Sequence, residues 1–363
     1  RIEASLTVQP AAGVPACWLR VTAPGHRDRH VVVDARTGRS LTLSVVTART
    51  GRQRLFAFDH QSIGVATVFR SELATGEAVT VTVLPQPRPL PALPLPPRLL
   101  GLTGAHRSVR PGDGGDLRDI DQFRAGDRLR RIDWKTTARR TTGSGGDHGA
   151  IDLYVRRTFA TAEAQIMLVL DSRDALGPDV ATWDTGELHP ADATSLDVAR
   201  RAAASLAQRY LDQGDRVGLV DLGRHRRPLR PAGGRRHLDR IVQQLATTVP
   251  DGTANARLRA PQVPSGALVV VLSTFVDDET AALAHAWHHT GHRVVAVDVL
   301  PPPELDRLVP RQLMAYRIVR MERDDRLAAL ADTGVEVVTW GHESSPDRAG
   351  DGRDVGVALT ALT

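Results

Sequence analysis

Six apolar residues, Ala267 to Leu272 within "GALVVVLSTFVDD", follow one another without a polar break. A strand sends successive side chains to opposite faces, so such a run needs apolar cover on both sides. Helices packed on both faces of a parallel sheet supply that cover. The surrounding sequence carries the rest of the pattern. "AQIMLVLDS" (164–172), "DRVGLVDLG", "RVVAVDVLPP" and "VEVVTW" read as strands. Between them, "SLDVARRAAASLAQRYLDQG" (195–214), "RRHLDRIVQQLATTV", "DETAALAHAWHHTGH" and "DDRLAALADTG" read as helices. In the first helix Leu196, Ala199, Ala203, Leu206, Tyr210 and Leu211 share one face, and Gly214 supplies the stop. Strand and helix alternate five times, which predicts a doubly wound parallel sheet over 161–363. Ligands of such sheets sit at the carboxyl ends of strands, which singles out Asp171, Ser172, Ser273 and Thr274.

Residues 1–84 differ in texture. Short β-type runs such as "ACWLRVTAP", "HVVVDA", "SLTLSVVTA" and "AVTVTVLP" recur between turn residues, and no helical period competes. They predict an antiparallel β-sandwich of immunoglobulin-like type. The run "LPQPRPLPALPLPPRLL" at 84–100 forbids helix and central strand, so 85–100 is read as an extended, semi-rigid linker. Residues 101–160 are dense in Gly, Asp and Arg, with Ile120, Phe123, Leu129, Ile132 and Trp134 as apolar anchors. That is too little to bury a core of its own.

Composition excludes several classes. A single cysteine, Cys17, leaves no disulfide framework and no cysteine-based zinc site. No run reaches the 18 or so apolar residues of a membrane span. The chain opens on "RIEASLTVQP", a strand-like start, which suggests that membrane segments precede it in the natural protein. Of 47 basic residues, Lys135 is the sole lysine, and the net charge is +5. An arginine excess can mark a nucleic-acid binder, but these arginines are spread along the chain among acids. A GC-rich coding sequence gives the same bias.

The segment "RPGDGGDLRDIDQFRAGDRLRRIDWKTTAR", followed by "LYVRR" and "LVLDS", resembles the signature of domain-of-unknown-function family fifty-eight. The positions that carry the likeness are Gly112, Gly114, Arg118, Phe123, Gly126, Asp127, Arg130, Ile132, Asp133, Trp134, Ala138 and Arg139. The resemblance implies two N-terminal membrane helices, a β-sandwich, the signature and a von Willebrand factor A-like α/β domain. It implies a bacterial adaptor or assembly factor on the cytoplasmic side of the inner membrane, working with a MoxR-type AAA+ ATPase. It supplies no reaction, and we expect a noncatalytic interaction protein.

Two sites follow. Arg118, Phe123, Arg124, Asp127, Arg130, Asp133, Trp134 and Arg139 either staple the signature to the α/β domain, with Trp134 as anchor, or present a partner surface, Trp and Arg being hot-spot types. Von Willebrand A domains often hold Mg²⁺ through Asp-x-Ser-x-Ser and a later Thr and Asp, hard oxygen ligands around an octahedral ion. Here Arg173 and Ala175 stand at the two serine positions. Asp171, Asp174, Thr274 and Asp277 (or Asp278) are therefore a degenerate set, and no cofactor is expected. A divalent-metal-dependent protein-binding domain and a nucleic-acid binder remain as alternatives. His285 and His289 have metal-ligand spacing but lack the companion Glu, and read as a solvated helix face. His106, His225 and His237 read as surface residues. The stretch 177–195 reads as a loop rimming the ligand end of the sheet, and "GSGGDHG" (143–149) as a hairpin tip.

Overall fold

The computed structural model describes residues 1–65, 69–90, 93–96, 99, 106–141, 152–223, 227–250, 260–341 and 356–361. The hairpin tip expected at 143–149 and His225 lie outside them.

The N-terminal part is antiparallel. Its strands are β1 (Ile2–Val8), β2 (Ala16–Thr22), β3 (Arg29–Asp34), β4 (Arg39–Val45), β5 (Gly51–Ile63), β6 (Ala74–Thr75) and β7 (Val79–Val83). One sheet runs β3-β2-β5-β6, with β7 also on β5, and β1 pairs with β4 in another. Alternate residues point inward: Leu41, Leu43 and Val45 of β4 meet Cys17, Leu19 and Val21 of β2, with Leu55 and Phe56 of β5, in one apolar cluster.

Next come β8 (His106–Gln122), α1 (Trp134–Thr141) and β9 (Tyr154–Ala162). Seventeen residues of the Gly/Asp/Arg-rich stretch thus form one strand, paired antiparallel with β9 through several register shifts.

The α/β part follows as β10 (Gln165–Leu170), α2 (Ser195–Asp212), β11 (Arg216–Asp221), β12 (Leu229–Ala232), α3 (Arg235–Thr247), β13 (Leu268–Ser273), α4 (Asp278–His289), β14 (Arg293–Asp298), α5 (Pro310–Asp332) and β15 (Glu336–Thr339). The sheet order is β12-β11-β10-β13-β14-β15. All neighbours are parallel except the edge strand β12, which is antiparallel to β11. The sheet is therefore mixed rather than wholly parallel. Period-two alternation divides it cleanly. Ile166, Leu168 and Leu170 face α2 and α3, while Met167 and Val169 face α4 and the end of α5. Burial of this kind contributes roughly 25 cal/mol per Å² of apolar surface. The order reverses between β10 and β13, and a ligand crevice opens at such a switch point. A last strand, β16 (Gly356–Ala361), pairs with β4, so these residues of the 161–363 stretch belong to an N-terminal sheet.

The proline-rich stretch does more than span a gap. Leu90, Leu93, Leu95 and Leu99 pack against the α/β core. The Tyr210 hydroxyl donates to the Pro94 carbonyl at 2.7 Å, and Arg293 donates to the Leu95 carbonyl at 2.7 Å. Arg88 stacks 4.1 Å over the Trp340 ring. A backbone short of N–H donors lies down here because its carbonyls and leucines are both used.

A buried carboxylate joins the two parts. Asp197, in the first turn of α2, closes a capping box with Thr194. Its Oδ1 also accepts from the Thr50 backbone N–H and hydroxyl, both at 2.7 Å, and Arg49 stands 2.9 Å from its Oδ2.

Candidate functional site

The switch point is occupied by charge. Asp171 directly follows β10 and is 6% exposed. Its carboxylate accepts from Arg173 Nε and Nη2 at 2.9 Å each, from the Ser273 hydroxyl at 2.7 Å and from the Thr280 hydroxyl at 2.8 Å. Arg173 reaches on to Asp277 at 2.9 Å and Glu279 at 2.8 Å. Asp277 caps α4, accepting from the Glu279 N–H at 3.0 Å. Burial works against ionising Asp171, but the hydrogen bonds and charge of Arg173, then Ser273 and Thr280, outweigh it and hold its carboxyl below the usual range. Burial likewise opposes the Arg173 charge, and Asp171 with Asp277 more than offsets it.

Asp174 stands apart from that pairing. The Thr274 hydroxyl donates to its carboxylate at 3.2 Å. Burial first, and the Asp171 charge second, push its carboxyl up to about 7. The loop after β13 is strained: Phe275 is fully buried at φ 52°, a conformation rarely adopted outside glycine. The Ser273 hydroxyl accepts its N–H at 3.1 Å, and Arg326 of α5 donates to its carbonyl at 2.9 Å.

The four degenerate metal residues are thus brought to one place, with a guanidinium among them. Among the described residues no group of three His, Cys, Asp or Glu side chains is arranged to hold a metal. Two of Asp171's protein donors are hydroxyls of the types that ligate Mg²⁺ elsewhere, and here they spend their protons on the carboxylate. Thr280, Glu279 and the arginines of α5 were missed by sequence reasoning, because nothing in their spacing ties them to Asp171.

The signature segment is stitched to itself. Asp127 accepts from the Arg124 N–H at 2.9 Å across the turn at Gly126 (φ 101°), and Arg157 of β9 lies 3.3 Å away. That N–H, then Arg157, keep its carboxyl below the usual range. Asp133 caps α1, accepting from the Thr136 N–H at 2.9 Å, which lowers its pKa in the same way. Arg157 also meets Asp121 at 2.7 Å, and Arg118 meets Asp119 at 2.8 Å. The Phe123 N–H donates to the Leu153 carbonyl at 2.7 Å. These acids hold a turn and a helix start and pair with β9, rather than with the α/β domain.

Trp134 is not the anchor. It is 67% exposed at the start of α1, and Leu129 beside it is 69% exposed. The anchoring falls to Val155 and Thr137, both buried, with the Thr137 hydroxyl accepting the Tyr154 N–H at 3.0 Å. Arg124, Arg130 and Arg139 are exposed as well. Residues 123–141 hold seven basic and two acidic side chains, a surplus of five. The rest of the chain balances at forty of each sign, so this segment accounts for the whole net charge of +5.

Two histidines correct the surface expectation. His106 meets Asp215, just before β11, at 2.9 Å, and buried His237 meets the Val217 carbonyl at 2.6 Å. Each sits where an α/β strand needs a polar partner. His285 and His289 stack 6.4 Å apart, with His285 hydrogen-bonded to Thr333 at 3.1 Å. In the loop after β10, Trp183 packs edge-on to Tyr316 of α5 at 5.9 Å.

Fold and site define a chain with antiparallel β-sheets, an α/β sheet whose switch point is filled by an ion pair, and a basic, tryptophan-bearing segment beside β9. The family described as protein of unknown function DUF58 matches residues 119–312, more than half of the chain, and the chain belongs to that family. It is 27% identical over 215 residues to Uncharacterized protein Rv1480 of Mycobacterium tuberculosis (strain ATCC 25618 / H37Rv), and equally to Uncharacterized protein Mb1516 of Mycobacterium bovis. Each alignment covers 56% of this chain and 61% of the relative, so the chain spans about three-fifths of the length of these curated relatives. No solved structure matches.

Proposed function

We propose that this chain is a noncatalytic adaptor that binds an acidic surface of a protein partner through the patch around α1. One observation carries the reading: the entire charge surplus falls in 123–141, beside an exposed Trp134. A large exposed aromatic in a segment rich in cations is the composition of an interface centre, and the cations would steer an acidic partner toward it. The capped carboxylates Asp127 and Asp133 hold this surface in shape and leave its cations in surplus.

In finer terms, we read the N-terminal layers as an immunoglobulin-like sandwich and the α/β part as von Willebrand A-like. The family resemblance supports a MoxR-type AAA+ ATPase as the partner and a tether to the bacterial inner membrane, with this part on the cytoplasmic side. No helix among the described residues is long and apolar enough to cross a membrane, so a tether would come from other segments. The guanidinium beside Asp171 favours binding without a divalent ion over the metal-dependent alternative. A pull-down of the ATPase with wild type and Trp134→Ala tests the proposal. Reduced recovery supports it, and equal recovery counts against the patch. A patch that instead shifts a nucleic-acid probe at low salt would redirect it to the nucleic-acid alternative.

A further inference from the structure

Helix α5 has 23 residues, about 34 Å of length, yet its only buried side chains are Tyr316 and Leu330. On its outer side Met314, Ile318 and Met321 are 58%, 53% and 66% exposed. Their spacing continues in both directions. Arg311, Met314, Ile318, Met321 and Asp325 are separated by 3, 4, 3 and 4 residues, the rhythm of a coiled-coil seam. This is an apolar stripe that the other described residues leave exposed.

The ends of the stripe say what covers it. Arg311 lies seven residues before Ile318 and Asp325 seven residues after it. In a parallel pairing of two such helices, arginine would face arginine and aspartate would face aspartate. In an antiparallel pairing about Ile318, each Arg311 falls opposite an Asp325, and Met314 of one helix lies beside Met321 of the other. The stripe is therefore complementary to itself under a two-fold axis, which is the symmetry of an isologous dimer.

We infer that α5 is a homodimer interface, in which two copies of this chain pair antiparallel along Arg311, Met314, Ile318, Met321 and Asp325. The interface is separate from the α1 patch and does not depend on the partner proposed there. Like charges directly opposed would disfavour the parallel alternative, so charge sets direction while the apolar stripe supplies the adhesion.

Sedimentation equilibrium of the full chain tests the inference. Wild type is expected at twice the chain mass at micromolar concentration, and Ile318→Asp at the monomer mass. Arg311→Asp is expected to weaken the dimer roughly tenfold, and Arg311→Asp with Asp325→Arg to restore it. Ile318→Cys reports the axis directly: it is expected to give a covalent dimer on oxidation, with little background because Cys17, the sole native cysteine, is buried. Unchanged circular dichroism in Ile318→Asp separates loss of pairing from loss of fold. A monomeric wild type overturns the inference and leaves the stripe to another protein. A dimer indifferent to Ile318→Asp, or one the charge exchange fails to restore, overturns the interface or its direction.

Discussion

Arg173 meets Asp171 side-on: Nε and Nη2 each lie 2.9 Å from a different oxygen of the carboxylate. Both side chains are less than a tenth exposed. Such a pair contributes little net stability against an apolar replacement, but breaking it strands a buried charge. Arg173→Ala should therefore cost about 3–5 kcal/mol in denaturant unfolding. Asp171→Asn combined with Arg173→Met should recover part of that loss, since neither charge then lacks its partner.

The same pair predicts how the switch point treats metal. With the Asp171 oxygens already holding two guanidinium N–H groups and two hydroxyls, calorimetric titration of wild type with Mg²⁺ and Mn²⁺ should be silent. Saturable heat from either ion would contradict this reading of the site.

Asp174 imposes a pH dependence of the opposite sense to a salt-bridged acid. Its folded carboxyl lies at about 7 against 3.8 for the ordinary group. Between those values the folded chain holds a proton that the unfolded chain has released, so stability falls as pH rises from 4 toward 7. Burial sets this first and the Asp171 charge second, with a smaller push from Asp277, against the Thr274 hydroxyl and Arg173. After discounting for partial solvent access, the loss should be on the order of 2 kcal/mol. Asp174→Asn should flatten the slope of unfolding free energy across this window. Asp171 works in the reverse direction at lower pH, where protonating it removes its pairing.

Asp197 should behave as a clasp. Asp197→Ala removes two hydrogen bonds to Thr50 and leaves Arg49 and Arg200 without their carboxylate. A loss of about 3 kcal/mol or more is expected, with the N-terminal sheets becoming protease-sensitive before the α/β sheet. Gly51→Ala should act on the same joint, because φ is +84° there and a Cβ would come within 2.8 Å of Arg200 Nη1.

What was legible in the sequence follows from which signals are local. The apolar run at 267–272 demanded two covered faces and has them as β13. The helix of 195–214 announced itself by periodicity and formed as α2. By contrast, the first half of α5 was missed, because its inward residues Leu313, Tyr316 and Val319 alternate with the exposed Met314 and Ile318, so apolar side chains stand on both sides and no single apolar face shows. Pro310 at the first helical position was the available signal. Strand β8 was hidden by glycine and charge, since its partner β9 lies some thirty residues on, and pairing is not written in one strand's composition. Asp171 and Arg173 were flagged as neighbours, but Thr280 and Glu279 reach them only through the fold. For Trp134 the sequence left two readings open, a buried anchor or an exposed partner contact, because large aromatics are usually buried but interfaces break that rule; at 67% exposure it is not the anchor.

The central claim is that the basic surface around Trp134 is where a partner docks. Titrating a purified MoxR-type ATPase against immobilised wild type, Trp134→Ala and Lys135→Glu/Arg139→Glu, at two salt concentrations, tests it most directly. The account predicts at least a roughly tenfold loss of affinity in each variant, and binding by wild type that weakens as salt rises. Equal affinity in all three proteins, with no salt dependence, would contradict it.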